Sequence, residues 1–432
     1  MAMDVWPLAL FILLLFLNVP VSVAIGSGAL LFFLHQQGMP LTIFPQRLAA
    51  FSQSFPLVAI PMFTFAGVIM NHAGITTRLL NLAETLVGHM SGALAQTNVL
   101  LAALMGFESG SGNADAAMQS KMLGTEMIRR GYPRPFAAAI VAASAVITPM
   151  MPPGLGFVLY GYLANVSVGR LFMAGIVPGF TMMTALMITT RFLSKKYGFL
   201  PVRARRASVI EIFSAIRQAA WALTVPFVVI FGLRFGVFTP TEAGAVIATY
   251  SLLVGLFVYR ELKVAQLWDI VTEAALATAV VMMIISASNA LGFYMTLEQI
   301  ASHLAMMLST ITASPLLMLV VINVFLLLVG MVLESVAALI LLTPILVPIA
   351  TSVGVNPVHL GVLMCLNVTL GAVHPPVGTL MFISCGVLEV KVADYTRAVL
   401  PLLAVEVAVL VLLILFPPVV LTLPNWAFGP GQ

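Results

Sequence analysis

Two proline pairs interrupt apolar runs of this sequence, one within Ile147 to Gly161 and the other within Leu370 to Ser384. Pro375 minus Pro152 is 223, so the two interruptions lie 223 residues apart. Because a proline pair removes two backbone donors and clashes with the preceding turn, a helix that reaches either stretch must break there. In a membrane, broken backbone is tolerated only where it is buried in protein or lines a watery cavity. The two breaks therefore predict a binding site inside a membrane protein.

The composition supports a membrane location. Of the 432 residues, 61% are hydrophobic and 8% are charged, whereas about 25% of the residues of a soluble globular protein are charged. The sequence therefore predicts an all-α polytopic protein in contact with a lipid bilayer. The net charge of +4 comes from basic residues in loops, where they indicate membrane topology and not nucleic-acid binding.

Two polar clusters each lie between apolar stretches that are too short to cross a bilayer. The first is GFESGSGNAD, from Gly106 to Asp115, and the second is GMVLES, from Gly330 to Ser335. Their flanks are roughly 15 residues long, whereas a crossing helix needs about 20. Each unit therefore predicts a re-entrant hairpin with the polar cluster at its tip. Amphipathic stretches at Ile75 to Met90 and Leu297 to Ser309 predict an interfacial arm before each hairpin.

The two halves of the chain correspond to each other. Adding 223 converts Gly131 into Gly354 and takes the first proline pair to the second, while arms, hairpins and breaks recur in the same order. This is an internal repeat. The stretch from Arg129 to Arg134 after the first hairpin holds three arginines, and the equivalent Ser352 to Pro357 holds none. Because cytoplasmic loops are rich in Lys and Arg, equivalent loops face opposite sides, and the repeat is inverted.

Counting from a cytoplasmic first loop places the basic loop 195–206 inside the cell and both termini outside. In the second half, Leu262 to about Glu273 is expected to lie at the interface, before a span at 276–294. The predicted segments are 1–90, N-terminal scaffold helices and arm; 91–192, first transport repeat with hairpin and broken helix; 193–310, basic linker, scaffold helices and second arm; 311–398, second transport repeat; and 399–432, C-terminal span.

The breaks and hairpin tips have a chemistry suited to secondary transport. N-termini of half-helices present free N–H groups to anions, and unwound carbonyls coordinate cations. An intramembrane enzyme is not expected, since the sequence has no His-Glu-x-x-His or Gly-x-Ser-x-Gly motif. The candidate substrate- or ion-binding residues are Ser109, Gly110, Ser111, Gly112, Asn113, Asp115, Thr148, Pro149, Gly330, Glu334, Gly371, His374 and Thr379.

Several of these side chains have an alternative structural role. The small residues at Ser109 to Gly112 either bind a ligand or let helices pack closely, and Asp115 is either an ion ligand or a helix cap. Lys121 either neutralises a nearby acid or extends to the interface. His374 either contacts substrate or protons, or caps broken backbone. Glu334 favours a direct role, because an ionisable group at a membrane-helix centre costs roughly 2.5 to 3.5 kcal/mol.

Four stretches resemble the large membrane subunit of tripartite ATP-independent periplasmic (TRAP) transporters: SGSGNAD at 109–115, RRGYPRPFAAA at 129–139, PMMPPG at 149–154, and LTPILVPIATSVGVNPVHLGVLMCLNVTLGAVHPPVG at 342–378. The resemblance covers essentially the whole chain. It implies an inverted-repeat, elevator-type, sodium-coupled importer of an organic acid anion in the bacterial or archaeal cytoplasmic (inner) membrane. The implied partners are a small four-helix membrane subunit and a periplasmic substrate-binding protein.

The alternative is a stand-alone ion-coupled anion transporter of the wider ion transporter superfamily, which needs no binding protein. Genes for a small membrane subunit and a periplasmic binding protein beside this gene would favour the tripartite hypothesis.

The resemblance also implies two sodium (Na+) sites. Its candidate ligands are Ser109, Ser111 and Thr148 in the first repeat, and Gly330, Gly371 and His374 in the second. Members of the family commonly read G-x-x-T-P-P at the second break, where this chain has His374 before the prolines. The missing threonine hydroxyl admits proton coupling or an altered ion site. At the first break, Thr148 stands where glycine is usual.

Overall fold

The computed structural model describes residues 6–17, 19–36, 39–108, 110–300, 303, 306 and 314–430. The predicted candidate Ser109 lies outside these residues. All regular secondary structure in the described ranges is helical. Eight helices there are long and apolar enough to cross a membrane, and a ninth span results if Arg134–Met150 and Leu155–Leu163, bent by 48°, count as one. The predicted all-α polytopic membrane fold is confirmed.

The described helices are labelled in chain order, and the proline-pair breaks fall between α9 and α10 and between α17 and α18. Those of the first half are α1 (Trp6–Phe16), α2 (Val21–His35), α3 (Ile43–Ala49), α4 (Ala59–His72), α5 (Ile75–Val87), α6 (Ala93–Gly106), α7 (Gly112–Gln119), α8 (Thr125–Arg129), α9 (Arg134–Ser144), α10 (Leu155–Leu163) and α11 (Val168–Tyr197). Those of the second half are α12 (Val209–Arg234), α13 (Pro240–Leu253), α14 (Leu267–Leu297), α15 (Pro315–Val332), α16 (Ser335–Ser352), α17 (Pro357–Gly371), α18 (Thr379–Leu388), α19 (Val392–Leu415) and α20 (Pro417–Phe428).

The first predicted arm forms helix α5, which has the expected amphipathic pattern. Leu79 and Leu82 are buried, whereas Thr77 and Asn81 on the other face are exposed. This spacing of three to four residues places the leucines on one side of the helix. The second predicted arm, Leu297 to Ser309, lies largely outside the described residues.

Each predicted hairpin consists of two helical limbs that contact each other. The expectation that the limbs are too short to cross a bilayer is wrong for the second hairpin, because α15 and α16 have 18 residues each and are apolar enough to span a membrane. In the first hairpin, α6 packs against α7 and α8, which a π-helical turn joins; in the second, α15 packs against α16. The limb after each tip begins with a side-chain cap. Ser111 accepts a hydrogen bond from the backbone N–H of Ala114, and Glu334 accepts from Val336 and Ala337. Glu334 minus Ser111 is 223, so equivalent positions cap the two hairpins.

Both predicted helix breaks are present. Residues 145–154, the first break, separate α9 from α10, and residues 372–378, the second break, separate α17 from α18. The Pro152-Pro153 and Pro375-Pro376 peptide bonds are both cis. The phenol of Tyr160 donates to Pro357 O at 2.7 Å, which ties the first broken helix to the start of the second.

A buried polar pair recurs in the two repeats. Asn98 Nδ2 donates to Ser144 Oγ at 2.5 Å, and Asn367 Nδ2 donates to Asn323 Oδ1 at 2.7 Å. Asn367 minus Ser144 is 223. In each repeat, the pair therefore joins the first limb of the hairpin to the helix that precedes the break. The structure supports the internal repeat at the level of individual hydrogen bonds.

The division at the start of α14 is wrong. The expected interfacial stretch near Glu273 and the following span form one helix, Leu267–Leu297. Glu273 Oε2 lies 3.1 Å from His72 Nε2 of α4. The Glu273 side chain is 57% exposed, so this contact lies at the surface of the helix bundle and joins α14 to α4.

The helices form two groups, which contact each other where α10 meets α4 and where α16 meets α14. In one group, α14 contacts α2 and α4, and α4 contacts α13. In the other, α9, α18 and α19, and likewise α10, α16 and α17, pack around the breaks. The two hairpin tips face α2, α4 and α14 across cavities described below.

Candidate functional site

The first hairpin tip presses against the backbone of the first break. A Cβ atom on Gly110 would lie 2.8 Å from Pro153 O, and one on Gly112 would lie 2.9 Å from Ala145 O. Gly110 also has φ 58°, in the left-handed region that favours glycine. Both glycines therefore have the packing role that small residues allow. Ser111 between them caps α7 and also lines the cavities described below.

The second tip packs against the second break through an equally close contact. A Cβ atom on Gly371 would lie 2.6 Å from the carbonyl carbon of Gly330, and one on Gly330 would lie 2.8 Å from Val368 O. The two predicted glycines are thus in backbone-to-backbone contact, and no other residue type fits there without displacement of α15 from α17.

Asp115 connects the first hairpin to the first break. Its Oδ2 accepts a hydrogen bond from Thr148 Oγ1 at 2.6 Å, and its Oδ1 accepts one from Gln119 Nε2 at 2.6 Å. Asp115 is only 1% exposed. Because Ser111 caps this helix, the cap alternative for Asp115 is wrong. Its carboxylate holds hairpin and break together.

Asn113 links the two repeats. Its Nδ2 donates to Glu334 Oε1 at 3.4 Å, and its Oδ1 accepts from Thr379 Oγ1 at 3.3 Å. Glu334 Oε2 meanwhile accepts from the backbone N–H groups of Val336 at 2.9 Å and Ala337 at 3.2 Å. One amide from the first tip therefore connects the second tip to the helix that follows the second break.

A small cavity lies where the tips meet. Its volume is about 50 Å³, which accommodates a water-sized ion but is far below the roughly 300 Å³ minimum of small-molecule sites. Its lining combines predicted residues of both repeats with their neighbours: Gly110, Ser111, Gly112, Asn113, Pro149, Leu155, Gly156, Glu334, Ser335, Val336, Leu339, Cys365 and Thr369.

A larger cavity of about 490 Å³ separates the tips from α2, α4 and α14. Its size is that of a small-molecule site. Most of the lining is apolar, and no Lys, Arg or His is among the described residues that form it. The polar lining residues are Ser22, Thr64, Asn71, Ser111, Glu273 and Glu334. Ser111 and Glu334 also line the small cavity, so the two cavities adjoin at the hairpin tips.

A third cavity, of about 330 Å³, shares Asn71 and Ala114 with the large one and is also lined by Asp115. Beside it, Thr76 Oγ1 of α5 donates to Glu108 Oε1 at 3.0 Å. Sequence reasoning did not single out Asn71, Thr76 or Glu108 as site residues. The sequence could have indicated Glu108, because it is an acid within an apolar hairpin. In the structure, its side chain is buried, with 3% exposed.

The candidate His374 and the basic residue Lys121 lie outside this arrangement. His374 Nδ1 is 2.8 Å from Pro375 O, and the ring lines none of these three cavities. This geometry favours the backbone-capping alternative for His374. Lys121 is exposed, and no ion pair joins it to Asp115 or Glu108 within the described residues.

Replacing Thr148 by valine should reduce transport on the order of 10-fold. The substitution removes the hydrogen bond that Thr148 donates to the buried Asp115 carboxylate, and this loss costs about 1 to 3 kcal/mol. The measurement is uptake by cells, normalised to the amount of protein in the membrane. Thr190→Val is the matched control, because the Thr190 hydroxyl is buried and has no hydrogen-bond partner in the described structure. Equal uptake by both variants would show that the Thr148–Asp115 bond is dispensable.

Comparison with known proteins decides the family. The family model "Tripartite ATP-independent periplasmic transporter, DctM component" matches residues 8–419. The chain belongs to this TRAP transporter family. The resemblance noted in the sequence is thereby confirmed over nearly the whole chain.

Curated relatives identify the subunit. This TRAP chain is 38% identical over 421 residues to the sialic acid TRAP transporter large permease protein SiaM of Vibrio cholerae, covering 97% of this chain and 98% of that one. It is 36% identical over 400 residues to the 2,3-diketo-L-gulonate TRAP transporter large permease protein YiaN of Escherichia coli, covering 93% of each.

A third relative is longer. The isethionate TRAP transporter permease protein DctMQ of Oleidesulfovibrio alaskensis is 39% identical over 409 residues, which cover 95% of this chain and 64% of that protein. The matched relatives are transporter permeases and not enzymes. The chain is a large TRAP permease subunit, and a multi-pass protein of the cytoplasmic membrane.

Proposed function

We propose that this TRAP permease imports a small organic acid anion by sodium-coupled secondary transport. The names of the relatives refer to sialic acid, 2,3-diketo-L-gulonate and isethionate, all of which are anions at neutral pH. In this proposal, a periplasmic substrate-binding protein delivers the anion, and a small four-helix membrane subunit completes the membrane complex.

One observation carries the proposal: Ser111 and Glu334 line both the 490 Å³ cavity and the 50 Å³ cavity. A solute in the large cavity therefore lies against a second space of ionic size, at the point where both hairpins and both repeats meet. A shared wall places the ion and the solute next to each other, so that the charge of one favours binding of the other. The candidate ion ligands are the carbonyls of the breaks together with Ser111, Thr148, Gly330 and Gly371.

The charge of the large cavity favours a cation as the coupling partner. Two of its lining residues, Glu273 and Glu334, are acids, and none is basic. The N-terminus of α16 is already capped by Glu334, and that of α7 by Ser111. An anion in this cavity thus requires positive charge from elsewhere, since like charges in a low-dielectric site repel strongly. A bound sodium ion supplies that charge.

The same cavity marks the boundary of the proposed moving body. Segments 91–192 and 311–398, with the hairpins and breaks, form the body that moves, while 1–90, 193–310 and 399–432 contribute the surrounding scaffold and the terminal span. The Thr76–Glu108 hydrogen bond crosses this boundary between α5 and the first hairpin. An elevator movement of the body relative to α2, α4 and α14 would expose the cavity to each side in turn.

Uptake into liposomes tests the proposal. The complete system should transport the solute that its binding protein carries, identified by mass spectrometry, and uptake should fall at least about 10-fold when potassium replaces sodium, because the ion provides part of the binding free energy. Full-rate uptake without sodium would contradict the ion assignment. Full uptake without the binding protein would favour the stand-alone alternative.

A further inference from the structure

Glu406 is an acidic residue inside the membrane that the proposed site does not use. It lies in α19, about 21 Å from the start and about 14 Å from the end of this helix at 1.5 Å per residue. Its exposed fraction is 0%, and neither carboxyl oxygen has a hydrogen-bond partner in the described part of the chain. The equivalent residue of the first repeat, 223 positions earlier, is Met183. An apolar side chain thus fills the corresponding position of the repeat.

The helices around Glu406 offer no buried cation. Helix α19 packs against α9, α11, α15, α17, α18 and α20, of which α15 and α20 contain no titratable residue. The titratable groups of the other helices, and of α19 itself, are Arg134, Arg170, Arg191, Lys195, Lys196, Tyr197, His359, Cys365, Cys385, Asp394, Tyr395 and Arg397.

The charged members of this set lie away from Glu406. All are exposed except Arg170 and His359. Arg170 donates to Phe428 O and Gly429 O near the start of α11. His359 Nε2 lies 2.9 Å from Leu413 O, seven residues after Glu406, as expected for a ring N–H that donates to the carbonyl. Among the described residues, no fixed positive charge therefore compensates an ionised carboxylate at this position.

A second observation connects Glu406 to the second break. Tyr395, three helical turns earlier on α19, is also 0% exposed. Its hydroxyl donates to Val373 O at 3.0 Å. Val373 directly precedes His374 in the second break. The acid therefore lies on a helix that is hydrogen-bonded to the second break.

An unpaired carboxylate in an apolar interior costs far more than a neutral carboxylic acid. Ionisable groups kept inside membrane bundles at this cost mark ion pathways or proton relays. We propose that Glu406, in the C-terminal span, is a proton-binding site beside the moving body, whose helices α9, α17 and α18 pack against α19. Its carboxyl group is neutral in this structure, and it releases the proton to water, leaving a carboxylate, when the body reaches another position. Glu406 is not one of the candidate sodium ligands, so this proposal does not rest on the sodium assignment.

Infrared spectroscopy of the permease with its small membrane subunit in liposomes tests this proposal. Wild-type protein should show the C=O band of a protonated carboxyl group, and this band should shift after transfer to D2O as the proton exchanges. The band should be missing from Glu406→Gln. It should remain in Glu389→Gln, a matched control at an exposed acid that precedes α19.

Two results would overturn the proposal. If the spectra of Glu406→Gln and wild type contain the same protonated-carboxyl bands, Glu406 is ionised. If its band never shifts in D2O, the proton is sealed in and the role is structural. Should Glu406→Gln fail to accumulate, Glu406→Asp replaces it, with the band expected at the aspartic acid position. Should both fail, wild-type protein carrying ¹³C-carboxyl glutamate is measured, and the absence of any exchanging glutamic acid band contradicts the site.

Discussion

Replacing Gly371 by alanine is expected to abolish uptake almost completely. The added methyl group would lie 2.6 Å from the carbonyl carbon of Gly330 and 2.9 Å from Leu327 O. Both are backbone atoms, so relief requires a shift of α15 relative to α17. Overpacking of this kind costs about 1 to 3 kcal/mol, and a displacement of about 1 Å at a functional site lowers activity on the order of 100-fold.

Gly386→Ala is the matched control for this experiment. Gly386 lies in α18, after the second break, and a Cβ atom there would have no neighbour within 4 Å. Gly371→Ala and Gly386→Ala should reach the membrane in similar amounts, measured by size-exclusion chromatography of the solubilised proteins. Wild-type uptake by Gly371→Ala would show that the contact between the second hairpin and its break is not needed.

Replacing Asn113 by leucine should lower uptake roughly 10- to 100-fold relative to the wild-type protein. Leucine has a similar size but makes no hydrogen bond, so the bonds to Glu334 and Thr379 are lost, at about 0.5 to 1.5 kcal/mol for each bond. The tips would then separate at the small cavity. Uptake per molecule of membrane-inserted protein measures the effect.

Asn81→Leu controls for the change of residue type, because Asn81 is exposed on α5. This variant should transport normally. If Asn113→Leu also transports at the rate of Asn81→Leu, the link between the repeats plays no part in transport. Asn113→Asp distinguishes the effects of the two hydrogen bonds. It should keep the bond from Thr379 but place a second carboxylate beside Glu334.

The sequence was sufficient for the features that arise from local backbone chemistry. The proline pairs predict both breaks because proline cannot continue a helix, and the polar clusters GFESGSGNAD and GMVLES predict both hairpins because polar residues do not suit a membrane-crossing helix. The offset of 223 residues then predicts equivalent elements, and the structure bears this out at the caps Ser111 and Glu334.

Contacts between distant segments were beyond such reasoning. Asn113 and Thr379 are 266 residues apart and meet only because two repeats pack against each other. The same holds for Thr76 and Glu108, which lie on an arm and a hairpin. Glu273 led to a wrong helix boundary because its partner, His72, lies 201 residues away. In each case, tertiary packing decides the role of a polar residue that the local pattern leaves open.

The thermal stability of the purified permease in sodium and in potassium tests the central claim most directly, because a ligand that binds only the folded state raises the melting temperature. Sodium chloride is expected to raise it above the value in equal potassium chloride, and Thr148→Val and Gly371→Ala should weaken this difference while Gly386→Ala keeps it. Identical melting temperatures in the two salts for the wild-type protein would contradict a sodium site at the hairpin tips and breaks.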